Sequence, residues 1–161
     1  GDLDGAEALS HEALEGRRET LGDQHPDTLG SVNNLGSLLK AQGDLDGAEA
    51  LFREALEVRR ETLGDRHPRT LSSINNLGSL LHAKGDLDGA EPLKREALEG
   101  RRETLGDRHP DTLASIRNLG VLLQKQGRLG DAIPLFREDL EGCAARYGKG
   151  HDETQSSARN L

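Results

Sequence analysis

The sequence predicts an all-α fold, a solenoid of stacked antiparallel helix pairs, and three observations indicate it. Only 2% of the 161 residues are aromatic and none is Met or Trp, so a core must be built mainly from Leu and Ala, which favour helices. A 42-residue segment recurs along the chain, and 32 of 42 residues are identical between 43–84 and 85–126. Within each copy, apolar residues recur at steps of three and four, the spacing of one helix face.

The first helix of the repeat is predicted over about 26–42. Leu29, Val32 and Leu35 recur at three-residue steps, which places them on one helix face. Gly43 follows this segment, and glycine readily adopts the left-handed conformation that closes a helix. The segment therefore has both an apolar face and a stop signal.

The second helix is predicted over about 44–63, with Asp44 as its N-cap. Ala48, Phe52 and Ala55 form its apolar stripe at three- and four-residue steps. The link to the next repeat is short and turn-like, so the two helices of each repeat are predicted to be antiparallel. Such a pair cannot bury its apolar face alone, and repeats must stack to form a continuous core.

Proline interrupts this pattern in two repeats. Pro92 and Pro134 lie about six residues into the predicted second helices. A proline in a helix interior removes a backbone hydrogen bond and costs about 3 kcal/mol. These two helices therefore either begin later than their counterpart at 44–63 or bend, and we expect a later or irregular start.

A glycine inside every first helix predicts a close helix crossing. Glycine costs about 1 kcal/mol relative to alanine in a helix interior, so its recurrence suggests a neighbour too close for a Cβ atom. Small residues of the second helix, twelve positions later, are the expected facing partners. The glycines are Gly36, Gly78 and Gly120, and the alanines are Ala48, Ala90 and Ala132.

The repeat divides the chain into units of one solenoid, 1–161. The predicted units are a partial unit at 1–21, full helix pairs at 26–63, 68–105 and 110–147, and a partial unit at 151–161. Neither end shows the polar outer face of a capping repeat. End-to-end self-association into a structural array is therefore an alternative function.

The repeat resembles a known family. Its pattern resembles that of the tetratricopeptide repeat (TPR) in the spacing of the Leu-Gly pair, the glycine stop and the alanines. The 42-residue period and the His-Pro link are similar to those of kinesin light chain repeats. The resemblance implies a right-handed α-α superhelix that binds proteins and is not an enzyme. The matching residues are Leu35, Gly36, Leu39, Gly43, Ala48, Phe52 and Ala55; the departures include Lys94 and Asp139, which replace the residues found at Phe52 and Ala97.

The resemblance also implies that the first helices line a concave groove that binds a partner peptide. The groove positions are offset from the leucine stripe, so their side chains are expected to point away from the core. The predicted peptide-binding residues are Asn33, Asn34, Ser37, Asn75, Asn76, Ser79, Arg117, Asn118 and Lys125.

One asparagine occurs at the same position in each unit, and we call Asn34, Asn76, Asn118 and Asn160 the asparagine ladder. A carboxamide offers donors and an acceptor, which complement a peptide backbone of any sequence. Related grooves use the corresponding asparagines to bind peptide main chain, so the resemblance implies the same role. Two alternatives stay open: each carboxamide could hold a neighbouring helix, or could simply be solvated.

Charge in the predicted groove changes along the chain. Arg117 replaces Asn75, and Lys125 replaces Ala83. These cations favour an acidic partner segment or a terminal carboxylate. The alternative is that they are solvated basic residues on a helix surface.

Other sites and partners are not expected. Histidines one unit apart stand on the order of 10 Å apart, whereas metal–ligand bonds are ~2 Å, so His25, His67, His109 and His151 are predicted to cap or pack the links. No phosphate-binding loop or zinc spacing occurs, and we predict no catalytic residue, metal or cofactor.

Composition narrows the remaining possibilities. The net charge of −8 argues against nucleic-acid backbone binding, which needs clustered cations. No apolar run approaches the ~18 residues of a membrane span, so no membrane partner is expected. Cys143 is the single cysteine and cannot form an internal disulfide. The sequence therefore predicts a reducing compartment, the cytoplasm.

Overall fold

The computed structural model describes residues 2–160, with side chains from residue 5 onward, and this part of the chain forms eight α-helices and no β-strand. No helix in it combines the length and apolar character that crossing a bilayer requires. The predicted all-α class is confirmed. The helices are α1 (Asp2–Leu21), α2 (Pro26–Gln42), α3 (Leu45–Leu63), α4 (Pro68–Lys84), α5 (Leu87–Leu105), α6 (Pro110–Lys125), α7 (Leu129–Tyr147) and α8 (Asp152–Ala158).

Consecutive helices make the main tertiary contacts. The pairs α2–α3, α4–α5 and α6–α7 pack within repeats, while α3–α4 and α5–α6 pack between repeats. This nearest-neighbour pattern is that of a solenoid. One continuous core runs through the stack and contains fully buried side chains from every first helix of a full pair, among them Leu35, Ile74, Leu77, Ile116 and Leu119.

Ion pairs also join successive second helices on the outer surface. Each uses an arginine near the end of one helix and a glutamate of the next, and each arginine is partly exposed. Exposed pairs of this kind contribute about 0 to 1 kcal/mol each, so they support the stack less than the core does. The pairs are Arg18–Glu54, Arg60–Glu96 and Arg102–Glu138.

The predicted capping role of the link histidines is confirmed. Each histidine precedes a first helix, and its Nδ1 accepts a hydrogen bond from the backbone N–H two residues later, at 3.1 to 3.2 Å. Each thus satisfies one donor that the helix leaves unpaired. The histidines are His25, His67, His109 and His151.

Removing one of these caps should destabilise the stack locally. We expect His67→Ala to lower the free energy of unfolding by about 1 kcal/mol, because the backbone N–H of Arg69 loses its acceptor. His67→Asn retains an acceptor and should unfold near the wild-type urea concentration. Urea unfolding followed by circular dichroism measures both. Equal midpoints for the alanine and asparagine variants would contradict the capping role.

The expected late start of the proline-containing helices is wrong. The helix α5 begins at Leu87, and the Asp86 carboxylate caps it by accepting from the Gly89 N–H at 2.9 Å, as Asp44 caps α3. Pro92 therefore lies inside the helix. Proline has no backbone N–H, so the carbonyl of Asp88, four residues earlier, loses its helical partner. Both residues are exposed, so water can reach that carbonyl.

The same correction applies to the helix that contains Pro134. The helix α7 begins at Leu129, in register with α3 and α5, and Pro134 is exposed inside it. Its N-cap, Arg128, makes no capping hydrogen bond with its side chain. Arg128 instead pairs with Asp131 at 2.8 Å, which places a carboxylate in the first turn. The helix start is thus kept although the capping aspartate is absent.

The close crossing at the first-helix glycines is confirmed, but its partner differs from the expected one. A Cβ atom added to Gly36 would lie 2.8 Å from Cε1 of Phe52, and one added to Gly120 would lie 2.6 Å from Cε1 of Phe136. The next nearest residue to Gly36 is Leu51, not Ala48. Gly36 and Gly120 therefore make room for a phenyl ring of the second helix, whereas Gly78 faces Leu93 and Lys94.

Candidate functional site

Three members of the asparagine ladder lie at equivalent positions of the first helices. Asn34 is exposed, and Asn76 and Asn118 are half-buried. Within residues 2–160 we find no hydrogen bond from these three carboxamides to another side chain or backbone group. Asn160 lies beyond the end of α8 at Ala158, so it does not extend the row on a helix. Three carboxamides are thus available on the surface of the first helices.

The asparagines one position earlier are partly engaged. Asn33 donates from Nδ2 to the Leu29 carbonyl of its own helix at 2.9 Å. Its Oδ1 is buried and has no hydrogen-bond partner among the described residues. Ser37 and Ser79 donate to the backbone carbonyls four residues before them, at 2.9 and 2.8 Å. These predicted site residues therefore retain acceptors but use their donors locally.

An open hollow lies between α2 and α4, next to the first member of the ladder. Its volume is about 430 Å³. Three arginines and one aspartate, Asp27, are among the residues that line it, so it is polar with a net positive charge. The lining residues include Arg17, Gly30, Asn34, Arg59, Arg69 and Ser72.

A recurring arginine and serine join α1 to α2, α3 to α4 and α5 to α6. Arg59 donates to the Ser73 hydroxyl at 2.5 Å, and Arg101 donates to the Ser115 hydroxyl at 2.7 Å. Burial lowers the pKa of both guanidinium groups from the ordinary arginine value. This pair is not among the predicted site residues, although its fixed spacing within the 42-residue period was a usable signal. Of these two arginines, Arg59 lines the hollow, where its bond to Ser73 holds it.

Arg117, a predicted groove cation, is committed to internal carboxylates. Its Nε donates to Asp139 at 2.9 Å, and Glu153 lies 3.4 Å from its Nη2. Asp139 is fully buried, and its hydrogen bond is the main reason that the pKa of Arg117 is raised. The positive charge at this position is therefore largely offset within the protein.

The last full pair replaces the recurring arginine with Cys143. The Ser157 hydroxyl donates to its Sγ at 3.4 Å, in place of the bond between arginine and serine. Burial raises the pKa of the Cys143 thiol, and the residue is 1% exposed. The thiol is thus a buried packing group. Within the described part of the chain, no three His, Cys, Asp or Glu side chains are placed to hold a metal ion.

Lys94 is a buried lysine beneath the predicted groove. It is 2% exposed, and its Nζ donates to the Ser79 hydroxyl and, at 3.4 Å, to Oδ1 of Asn75. Burial, followed by repulsion from Lys40 and Arg101, lowers the pKa of Lys94 to about 8. No described carboxylate lies within ion-pair distance of it. The second helix α5 thus places a buried cation beneath a groove whose predicted residues all come from first helices.

The charges of three lysines act on His82, and we call Lys40, His82, Lys94 and Lys125 the cationic cluster. Burial lowers the pKa of His82, and the charges of Lys125, Lys94 and Lys40 lower it further. The Nε2 atom of His82 is buried without a hydrogen-bond partner among the described residues. The cluster therefore contains mutually repelling cations and an unused polar atom.

Comparison with known proteins places these features in a family. The tetratricopeptide repeat profile matches residues 28–103 and 72–145, and a second profile of the same name matches residues 1–27. No curated protein matches the chain by sequence. The matched segments cover most of the chain and include the three ladder asparagines of α2, α4 and α6.

Solved structures agree with this result. The nearly identical TPR-like repeats of a Podosopora anserina protein described as a kinesin light chain superimpose with a TM-score of 0.88 at 25% identity, over 100% of this chain and 76% of that one. A variant of that protein gives a TM-score of 0.89. BtubC (BKLC) from P. vanneervenii gives 0.88 at 26% identity, over 100% of this chain and 64% of that one. The chain belongs to the tetratricopeptide repeat family and forms a superhelix similar to that of kinesin light chain-like repeats.

Proposed function

We propose that this chain is a non-catalytic cytoplasmic scaffold that binds a partner peptide in a concave groove formed by α2, α4 and α6. Tetratricopeptide repeats generally mediate binding between proteins, which supports an interaction role. The observation that carries the proposal is the row of three carboxamides, Asn34, Asn76 and Asn118, that make no hydrogen bond to other described residues.

The spacing of the row suits an extended peptide. Neighbouring packed helices are on the order of 10 Å apart, and an extended chain advances about 3.3 Å per residue. Successive carboxamides are therefore about three peptide residues apart. Each carboxamide donates to a peptide carbonyl and accepts from a peptide N–H, whatever the side chains. The exposed Ser37 hydroxyl supplies a further acceptor beside the row.

Charge adds a preference for acidic segments. Arg117 is offset by Asp139 and Glu153, so its position attracts an acidic residue weakly. The unpaired positive charge lies instead with the cationic cluster, which includes the predicted site residue Lys125. An acidic residue of the partner is therefore expected over α4.

The double substitution Asn76→Ala and Asn118→Ala tests the ladder. We expect at least a several-fold loss of binding to peptides selected from a display library, because two backbone-binding carboxamides are removed. The melting temperature should change little, since neither side chain bonds to the rest of the protein. Fluorescence polarisation and thermal unfolding measure the two quantities.

Asn160→Ala is the matched control, because it removes a carboxamide that lies beyond the last helix. This control should bind the selected peptides as the wild type does. Unchanged binding by the double variant would reject the ladder. A large drop in its melting temperature would instead assign the asparagines a structural role.

Self-association is a second candidate, and one observation favours it. Leu9 of α1 is 68% exposed, whereas the equivalent Leu51 and Leu93 pack against the first helix of their own pair. A helix of a second copy could cover Leu9. A sedimentation coefficient that rises with protein concentration would favour this candidate, and a constant value would remove it.

A further inference from the structure

The hollow between α2 and α4 has a counterpart between α6 and α8, a cavity of about 290 Å³. Residues two repeats apart occupy equivalent positions in the two cavities. Arg59 and Arg69 of the first cavity correspond to Cys143 and Glu153 of the second. The hollow at α2 and α4 therefore carries two cations where its counterpart carries a thiol and a carboxylate.

Arg69 is the open cation of this hollow. The neighbouring first helices carry Asp27 and Asp111 at the same position, so the arginine reverses the charge found there. Its side chain is exposed, and its guanidinium group makes no hydrogen bond or ion pair with the described residues. The donors of Arg69 are therefore available to a ligand that arrives from solvent.

Two further arginines line the hollow, and they differ in exposure. Arg17 is exposed, and only its Nη1 is engaged among the described residues, in part by the Asp27 carbonyl at 3.3 Å. Arg59 is 8% exposed and bonds to α2 and α4 through its Nη atoms, so it contributes charge rather than donors. The exposed carboxamide of Asn34 adds a further open donor. Open donors thus come from α1, α2 and α4.

The positive charge of the hollow is only partly offset. Three arginines and one aspartate give its lining a net charge of +2. The first residues of α2 and α4, Pro26 and Pro68, also line it, so the positive ends of two helix dipoles lie beside it. Burial, followed by the charge of Arg69, lowers the pKa of Arg59 from the ordinary arginine value. An anion in the hollow would relieve this repulsion.

We propose that this hollow is a subsite for a phosphate monoester, such as phosphoserine, on the partner peptide. The inference rests on the proposed peptide-binding function. A phosphorylated side chain carries about −1.5 to −2 charges and three strong acceptor oxygens near pH 7. These match the net charge of the lining and the separate donors of Arg17, Asn34 and Arg69. A carboxylate would satisfy one guanidinium fork and leave the second charge uncompensated.

Occupancy of the hollow would also fix the position of the peptide along the groove. Asn34 belongs both to the lining and to the asparagine ladder, of which it is the first member. A phosphorylated residue bound there would place the neighbouring peptide units beside Asn76 and Asn118. The subsite therefore selects a register that backbone binding by the ladder leaves undefined.

The first experiment follows the Nε–H signals of the arginines by NMR at pH 7, with phenyl phosphate as the probe and benzoate as the carboxylate control. Arg69→Asp and Arg17→Lys assign the two relevant signals. We expect phenyl phosphate to shift both saturably and benzoate to shift them much less. The signal of Arg137, an exposed arginine of α7 outside the hollow, should not move. No shift at Arg69, or an equal response to benzoate, would overturn the inference.

The second experiment measures, by fluorescence polarisation, library peptides that carry phosphoserine, serine or glutamate at one fixed position. We expect about tenfold tighter binding of phosphoserine than of serine peptides, because charged hydrogen bonds are added. Arg69→Asp should abolish this preference, and Arg137→Asp, which changes the charge equally on α7, should retain it. Asp27→Asn should increase the preference, since it removes the carboxylate from the lining.

Arg69→Asp should melt as the wild type does, because Asp27 and Asp111 occupy its position in the neighbouring units. If it unfolds instead, Asp27→Asn decides, and an unchanged preference in that variant would overturn the subsite. Glutamate peptides that bind as tightly as phosphoserine peptides, or a preference that survives in folded Arg69→Asp, would also overturn it.

The two proposals fail in different ways. Phosphoserine peptides that bind no tighter than serine peptides, but still depend on Asn76 and Asn118, would overturn this inference and leave the proposed function standing. If phenyl phosphate shifts the Arg69 signal but no library peptide binds, the proposed function fails. The hollow would then bind a small phosphate ester, which also overturns the inference as stated.

Discussion

Lys94→Phe is expected to raise the free energy of unfolding by about 2 kcal/mol, because a phenyl ring replaces a buried cation without an acidic partner. The site can accept the ring, since Phe52 and Phe136 occupy it in the neighbouring units. A Cβ atom added to Gly78 would lie 3.5 Å from the Lys94 side chain, whereas one added to Gly36 would lie 2.8 Å from the Phe52 ring. The contact below the lysine is therefore looser, and the ring would fill it.

The same variant should lose one component of the pH dependence of stability. The pKa of Lys94 is lowered from 10.5 to about 8 in the folded protein, so between these values the unfolded state binds more protons than the folded state. Stability therefore rises with pH across this window in the wild type, by linkage. In Lys94→Phe this contribution is absent, and its advantage over the wild type should shrink between pH 8 and pH 10.5.

Urea unfolding at a series of pH values measures both effects. Phe52→Lys is the reciprocal control, since it creates the same buried lysine in the preceding unit and should be strongly destabilising. A stability difference between wild type and Lys94→Phe that stays constant from pH 7 to pH 10.5 would show that Lys94 is not buried as a shifted amine. A Lys94→Phe variant less stable than wild type would show that its hydrogen bonds to Asn75 and Ser79 outweigh the ring.

Gly120→Ala is expected to lower the free energy of unfolding by about 1 to 2 kcal/mol, although alanine favours helices by about 1 kcal/mol over glycine. The new Cβ atom would lie 2.6 Å from Cε1 and 2.9 Å from Cδ1 of Phe136. Non-bonded carbon atoms do not approach this closely, so the ring or the helix would have to move. Gly78→Ala should be nearly neutral, because its nearest atoms are Cβ of Leu93 at 3.2 Å and the flexible chain of Lys94 at 3.5 Å.

A double-mutant cycle separates the clash from local propensity. Gly78→Ala should become destabilising when combined with Lys94→Phe, because the ring restores the contact found at Gly120. Gly16→Ala is the matched control: Gly16 lies inside α1 with nothing within 4 Å of its added Cβ, so alanine should stabilise. Additive effects of Gly78→Ala and Lys94→Phe would contradict the proposed ring contact.

Short-range features were predictable because they depend on residues close in the chain. The 42-residue period, the apolar spacing and the capping residues indicate the helices and their stacking, and the structure confirms the caps at His25 and Asp44. The glycine at each first helix correctly predicts a close crossing. The choice of ring over alanine as the contact depends on how the two helices rotate about their axes, which spacing alone does not define.

Only the tertiary structure decided which charges are free and which are satisfied. The sequence predicts Arg117 as a groove cation and shows Lys94 only as a departure at the position of Phe52. In the structure Arg117 meets the buried carboxylate of Asp139 in another helix, whereas Lys94 meets only Asn75 and Ser79 and is repelled by other cations. Ion pairing depends on distances of a few ångströms between side chains of different helices, because the Coulomb energy falls as the two charges move apart. The sequence alone therefore determined the superhelix and the row of asparagines along the first helices, and packing between helices determined where that surface keeps positive charge.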